Sequence, residues 1–305
     1  MALISVIIPA YNGEKTIKET IESVLNQTFT DFELIVVNDD SQDSTLDIVN
    51  SIGDRRVKVF SYANGGVATN RNRGIKHARG EYIAFLDHDD LWTPDKLESQ
   101  LKALQENPEA AVAYSWTDYI DENGQFLNPG THLSFRGNVY QQLLLTNFVE
   151  NGSNILVKTE ALQKVGDFDP SITGADDWDF WLRLARHYHF VPVSSPQVLY
   201  RQSSHCASNN LIKQETQCLK ALNYAFEKAP ESLQKLKPES IANLYLYLTF
   251  RALQGNPTPQ ESLTAARYLW SALHHNPSLF SQRMKLISLV FLKIIRNILF
   301  GKKMA

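Results

Sequence analysis

Cysteine is nearly absent from this chain: Cys206 and Cys218 are the only two in 305 residues. A close pair with no partners elsewhere suits a reducing cytosol better than a disulfide framework. Long uncharged apolar runs are missing too. The most apolar stretch, MKLISLVFLKIIRNILF, is broken by Lys293 and Arg296 and is too short and too charged to span a bilayer. There is no Gly-rich Walker loop and no G-x-G-x-x-G after the first apolar run, so neither a P-loop enzyme nor a dinucleotide oxidoreductase is favoured. The opening MALISVIIPAYN lacks a basic n-region and a cleavage site, and it reads as a first strand rather than a signal. A net charge of −3 gives no global reason to expect nucleic acid.

What is present is ordinary globular material, 43% hydrophobic and 21% charged, enough for one large domain or a domain with an appendage. Short β-branched runs at Leu3 to Ile8, Leu34 to Val37, Val57 to Phe60 and Tyr82 to Leu86 read as strands. Helical patterns at Glu14 to Asn26, Ser44 to Ile52 and Val67 to Ala78 separate them. This alternation predicts a parallel sheet covered on both faces, with ligands bound outside the carboxyl ends of its strands. The loops PAYNG, NDDSQDS and DHDD then share one rim. Further on, VAYSW reads as a fifth strand, Ser153 to Val157 as another, and GADDWDFWLRLARH as a helix with Asp176, Asp177 and Asp179 in its first turn. A helix N-terminus favours ionised carboxylates there. Trp178 and Trp181 share one helix face and read as packing.

Beyond Arg201 the pattern is helical. Leu244 to His275 resembles a single tetratricopeptide-type hairpin. After Glu261 no acidic residue occurs, while Arg267, Arg283, Lys285, Lys293, Arg296, Lys302 and Lys303 are basic. The tail therefore has two readings, an interfacial membrane helix or a helix packed on the protein.

The stretch AFLDHDDLW crowds Asp87, Asp89 and Asp90 at a strand end. At about 4 Å two such charges repel by roughly 1 kcal/mol in water and roughly 4 kcal/mol near a protein surface. Oxygen ligands on one edge suit a hard divalent cation, Mg²⁺ or Mn²⁺, that keeps positions open for phosphate oxygens. A metal with a diphosphate would offset the crowding. For any single aspartate, a helix cap or a solvated loop charge is the plainer reading.

In this order and spacing, SVIIPAYN, VVNDDSQDST, NGGVATNRNRG, GEYIAFLDHDD, VGDFDP and DDWDFWLRL resemble the family 2 inverting glycosyltransferases of the GT-A fold, from about Ile4 to Arg201. The resemblance implies an α/β fold with a Rossmann-like, mainly parallel sheet sandwiched by helices, followed by a helical C-terminal region. It also implies a nucleotide-diphosphate sugar as donor and a hydroxyl acceptor. Carried over by residue, Pro9, Ala10 and Tyr11 would line the nucleotide pocket, and Asp39 would accept from the nucleobase. Arg71 and Asn72 match the family's Arg-Asn, with the guanidinium meeting base or phosphate oxygens. Asp87 would face the ribose or a metal-bound water, Asp89 would ligate the metal, and Asp177 would be the general base. His205 stands near the place of a third metal ligand, or is a plain loop residue. Asn38-Asp39-Asp40 replaces the commoner Asp-Asp-Gly, so Asp40 lacks the backbone freedom of glycine.

The expected organisation is a catalytic domain over residues 1–205 and a helical region with a basic amphipathic tail over 206–305. The expected function is metal-dependent, inverting sugar transfer to a polysaccharide or lipid-linked glycan, in the cytoplasm or peripherally at the cytoplasmic membrane face. Two other classes stay open: a non-catalytic nucleotide-sugar binder or scaffold, and a sugar nucleotidyltransferase. The latter would want a basic phosphate loop where PAYNGEK stands.

Overall fold

A computed structural model describes residues 2–202 and 210–300. The chain divides into two compact units, one formed by Met1–Leu143 with Asn147–Cys206 and the other by Leu144–Thr146 with Ala207–Ala305.

In the first, β1 (Ile4–Ala10), α1 (Ile17–Leu25), β2 (Phe32–Asn38), α2 (Thr45–Asn50), β3 (Val57–Ser61), α3 (Gly66–His77) and β4 (Tyr82–Phe85) alternate strictly. Strands β1 and β2 are buried along their whole length, which is why they read as unbroken apolar runs. Helix α1 lays Ile17, Thr20, Ile21 and Val24 against the protein, the i, i+3, i+4, i+7 stripe of an amphipathic helix. Next come β5 (Leu91–Trp92), α4 (Lys96–Glu106), β6 (Ala110–Ile120), β7 (Phe126–Pro129) and α5 (Tyr140–Leu145). They are followed by β8 (Leu156–Lys158), α6 (Thr159–Val165), α7 (Asp176–Ala185) and β9 (His189–Arg201).

The strands form one sheet in the order β3-β2-β1-β4-β8-β6-β9-β5, with β7 on β6. Pairing is parallel from β3 to β4, as the alternation predicts. The second half is mixed: β8 runs antiparallel to both β4 and β6, while β6 and β9 are parallel. Helix α7 and strand β9 follow one another with only a short turn between them, and β9 carries Arg201 back to the rim beside β6.

The second unit holds α8 (Leu211–Lys228), α9 (Glu231–Gln234), α10 (Lys237–Ala252), α11 (Pro259–His275), α12 (Ser278–Gln282) and α13 (Met284–Phe300). Helices α10 and α11 pack against each other, α10 starting at Lys237 rather than at Leu244, and α11 starts with a reciprocal capping box between Thr258 and Glu261. Helix α13 packs on α11 and buries Ile287, Val290 and Ile294 along one seam. No helix among the described residues is long and apolar enough to cross a membrane.

The turn into β4 depends on close backbone approach. A Cβ on Gly80 would lie 2.6 Å from the backbone nitrogen of Ser5 and 2.9 Å from the carbonyl oxygen of Leu3. Neither neighbour can rotate away, since both are backbone atoms at the start of β1 or just before it. Gly80→Ala should therefore destabilise the protein by about 1–3 kcal/mol through overpacking. Urea denaturation checks this, and an unchanged midpoint would contradict it.

Candidate active site

The carboxyl ends of β1, β2 and β4 bring the three predicted loops together. Pro9 and Ala10 end β1 and are buried, whereas Tyr11 is 46% exposed. Asp39, just beyond β2, is buried and accepts hydrogen bonds from the amides of Gly65 at 2.7 Å and Gly66 at 2.9 Å. Arg73 Nη1 lies 3.5 Å from the same carboxylate. Asp39 thereby fixes the entry to α3. Asp40 adopts the left-handed conformation, φ 62°, where the commoner pattern has glycine, so the turn keeps its form at the cost of strain.

The aspartates after β4 have three different fates. Asp87 Oδ1 accepts from Arg71 Nη2 at 2.6 Å. Asp90 is buried, with Oδ2 accepting from Ser153 Oγ at 2.5 Å and Oδ1 from the Arg201 amide at 3.0 Å. Burial, then the charges of Asp89 and Asp87, push the Asp90 carboxyl well above the usual carboxylate range. Asp89 has its carbonyl held by Arg201 Nε at 2.8 Å, while no other residue's side chain bonds its carboxylate among the described residues. Desolvation raises the Asp89 pKa, with the charge of Asp87 adding to it and His88 opposing.

The loop's backbone is held equally firmly. The His88 carbonyl accepts from the hydroxyls of Thr16 and Thr20, each at 2.9 Å, and Thr20 also reaches the Asp90 carbonyl. The His88 ring covers Gly13 of the PAYNG loop, where a Cβ would lie 2.4 Å from it. Among the described residues no group of three or more His, Cys, Asp or Glu is placed to hold a metal. One unengaged carboxylate whose pKa is raised by burial fits a cation that takes its other ligands from phosphate and water. His205 lies outside the described residues.

Arg71 is 3% exposed and also donates from Nη1 to Asp176 Oδ2 at 2.6 Å. Its terminal nitrogens thus face protein carboxylates on both sides. Asn72 turns the other way: its amide bonds both the N–H and the carbonyl of Phe168, each at 2.8 Å, and fixes the GDFDP loop ahead of α7. Asp177, the next residue after Asp176, accepts only from the adjacent Trp178 amide, at 2.6 Å, among the described residues. Burial, then the neighbouring charge of Asp176, push its carboxyl up to about 7, with Arg71 opposing. The N-terminal position on α7 is therefore outweighed, contrary to the expectation that it would favour the ionised form. Trp178 and Trp181 are buried, and Trp178 Nε1 bonds the Leu143 carbonyl, so both pack the helix.

The sequence offers Ser153 only as the start of a strand, which in the structure begins at Leu156, and gives no role to Asn151 or Gly152. Asn151 Nδ2 bonds Thr117 Oγ1 at 2.9 Å, Gly152 lies against the Arg71 guanidinium, and Ser153 Oγ accepts from the Asp87 amide at 3.0 Å. No motif marks these residues, because their partners lie far away in the chain.

A raised carboxylate pKa has a consequence for stability. Asp177 titrates near 7 when folded and near 3.8 ordinarily, so between those values the folded protein binds more protons than the unfolded chain. Stability then falls as pH rises through that window. Asp177→Asn removes the penalty, so the variant should be the more stable of the two at pH 8, with the gap closing toward pH 4. Urea midpoints across that range check this; a gap that does not vary with pH would contradict it.

This geometry can be set beside known proteins. The model described as "Glycosyltransferase like family 2" matches residues 5–252. An uncharacterised glycosyltransferase of Rickettsia typhi is 35% identical over 70% of this chain and 69% of its own. The UDP-Glc:alpha-D-GlcNAc-diphosphoundecaprenol beta-1,3-glucosyltransferase of Escherichia coli is 31% identical over 70% of this chain and 82% of its own. The chain spans only 38% and 43% of the length of two longer relatives, from Rickettsia bellii and Rickettsia felis. Among solved structures, Staphylococcus aureus TarS superposes with a TM-score of 0.65 at 20% identity, over 97% of this chain and 88% of that one. A mannosyltransferase of Pyrobaculum calidifontis, in complex with GDP-Man and Mn²⁺, gives 0.59 at 19% identity over 99% and 88%. The α/β architecture is accordingly the GT-A fold, and this chain belongs to the family 2 glycosyltransferases.

Proposed function

We propose that the protein transfers a sugar from a nucleotide diphosphate to a hydroxyl of a lipid-linked or polysaccharide glycan, with inversion at the anomeric carbon and dependence on a divalent cation. The observation that carries this reading is the juxtaposition made by Arg71, which ties the DHDD loop to the start of α7. Asp89, whose carboxylate no other side chain engages among the described residues, lies on that loop, and Asp177, poised near neutrality, lies at that helix start. Support for the donor comes from relatives and fold neighbours named for UDP-glucose, UDP-GlcNAc and GDP-mannose. The E. coli relative, named for a diphosphoundecaprenol-linked acceptor, supports the acceptor class.

In this reading Pro9, Ala10, Tyr11 and Asp39 shape the nucleotide end of the cleft, and Asp87 faces the ribose side. Asp89 would hold Mn²⁺ or Mg²⁺, which when bound neutralises charge on the departing diphosphate. Asp177 accepts the acceptor's proton as the acceptor oxygen bonds to the anomeric carbon and the bond to the diphosphate breaks. A carboxyl near 7 suits this role, because it is largely ionised just above neutrality yet basic enough to take a proton. Asp177→Asn should lower kcat by on the order of 10² to 10⁴ while donor affinity changes little. Near-parental turnover would refute the assignment. Asp89→Asn should abolish Mn²⁺-dependent binding of the nucleotide diphosphate in calorimetry with the fold intact; unchanged binding would refute the metal role.

Helix α13 supports peripheral contact with the cytoplasmic membrane face. Its seam residues are buried, but Leu289, Leu292 and Leu299 are 65%, 61% and 67% exposed, alongside exposed Lys285 and Arg296. Apolar side chains with cations between them fit an anionic lipid surface. Leu292→Glu combined with Leu299→Glu leaves the seam untouched and should abolish sedimentation with anionic liposomes. Undiminished sedimentation would exclude this surface.

A further inference from the structure

Arg71 occupies a closed compartment. One side is closed by Gly152, where a Cβ would lie 2.0 Å from Nη2 and 2.8 Å from Cζ. The Phe168 ring lies 5.4 Å from Cζ. Nε is buried and bonds no protein atom among the described residues. The two terminal nitrogens are committed at 2.6 Å each, to Asp87 beyond β4 and to Asp176 on α7. Contact of its terminal nitrogens with a nucleobase or phosphate would require one of these buried ion pairs to open.

We infer that Arg71 is a positioning residue for sugar transfer rather than a nucleotide contact: it spans the cleft, fixes Asp87 against Asp176 and thereby places Asp177, with Gly152 as the small residue that leaves it room. The inference rests on Asp177 acting as the base. A planar guanidinium can satisfy two separate carboxylates with parallel-sided donors, whereas an ammonium is a point charge that serves one geometry at a time. Asn72 and Asp90 complete the frame. Asn72 fixes the loop that leads into α7, and Asp90 fixes Ser153 beside Gly152. Among the described residues, the charged groups around Asp177 are Asp176 on its own helix, Arg71 on α3 and Asp87 after β4. One cation, Arg71, therefore stands among two carboxylates besides the base in the described residues.

The experiment measures three variants for nucleotide affinity and for turnover against pH. Calorimetry with UDP and with GDP, each in the presence of Mn²⁺, reports binding, and donor hydrolysis reports turnover. Arg71→Lys should lower kcat by on the order of 10², the loss typical of a misplaced catalytic group, while nucleotide affinity stays within about threefold. Gly152→Ala should show the same division between kcat and affinity by crowding the guanidinium. It provides the test if Arg71→Lys fails to fold. Asp176→Asn removes a negative neighbour and should move the acid limb of the kcat profile to lower pH. A loss of nucleotide affinity that matches the loss of kcat in Arg71→Lys or Gly152→Ala would overturn the inference in favour of nucleotide contact. An unmoved acid limb in Asp176→Asn would overturn it as well. Failure of the base assignment itself is separate, since it shows as retained turnover in Asp177→Asn.

Discussion

Burying Asp90, Asp176 and Asp177 around Asp87 is costly, because burial strips carboxylates of hydration and Asp87 repels each of the three. Burial is accordingly the largest influence raising Asp90, Asp176 and Asp177. The arrangement holds because one buried guanidinium neutralises part of that charge and fixes two of the four groups at once. Breaking such a pair by removing one partner leaves an uncompensated buried charge, which is far worse than never having made it. The parallel half of the sheet and helix α7 both approach the cleft through this contact.

The surrounding bonds sort the acidic groups by use. Thr16, Thr20, Ser153 and Arg201 take up the carbonyls and the Asp90 carboxyl. Asp39 spends its oxygens on the start of α3. Among the described residues, Asp89 and Asp177 are left without such side-chain partners from distant parts of the fold. Preorganised sites leave unengaged the groups that will meet a ligand, and hold their neighbours still.

Much of this was legible in the sequence, and the limits have physical reasons. Buried β-branched runs such as Ile4 to Ile8 announce strands because both faces of a parallel sheet are covered. Glu261 three residues after Thr258 announces a helix start. The rim aspartates could be gathered from topology alone, since strand ends in an alternating fold share one edge. Partners could not: that Arg71 meets Asp176, or that Ser153 serves both Asp87 and Asp90, depends on contacts between residues far apart in the chain. The antiparallel half of the sheet was equally hidden. Strand β8 is only Leu156–Lys158, too short to show a period, and the two-residue β5 follows directly on the acidic loop. The direction of the Asp177 shift was misjudged because the helix position is visible in sequence while burial is not.

The central claim is displacement at the anomeric carbon by an acceptor oxygen that gives its proton to Asp177, with the diphosphate leaving from the opposite face. Stereochemistry tests that most directly. With an α-linked nucleotide sugar that the protein accepts, proton NMR of the freshly formed product should show the β-anomeric coupling. An α-linked product would contradict the account, since retention cannot arise from a single displacement assisted by one base.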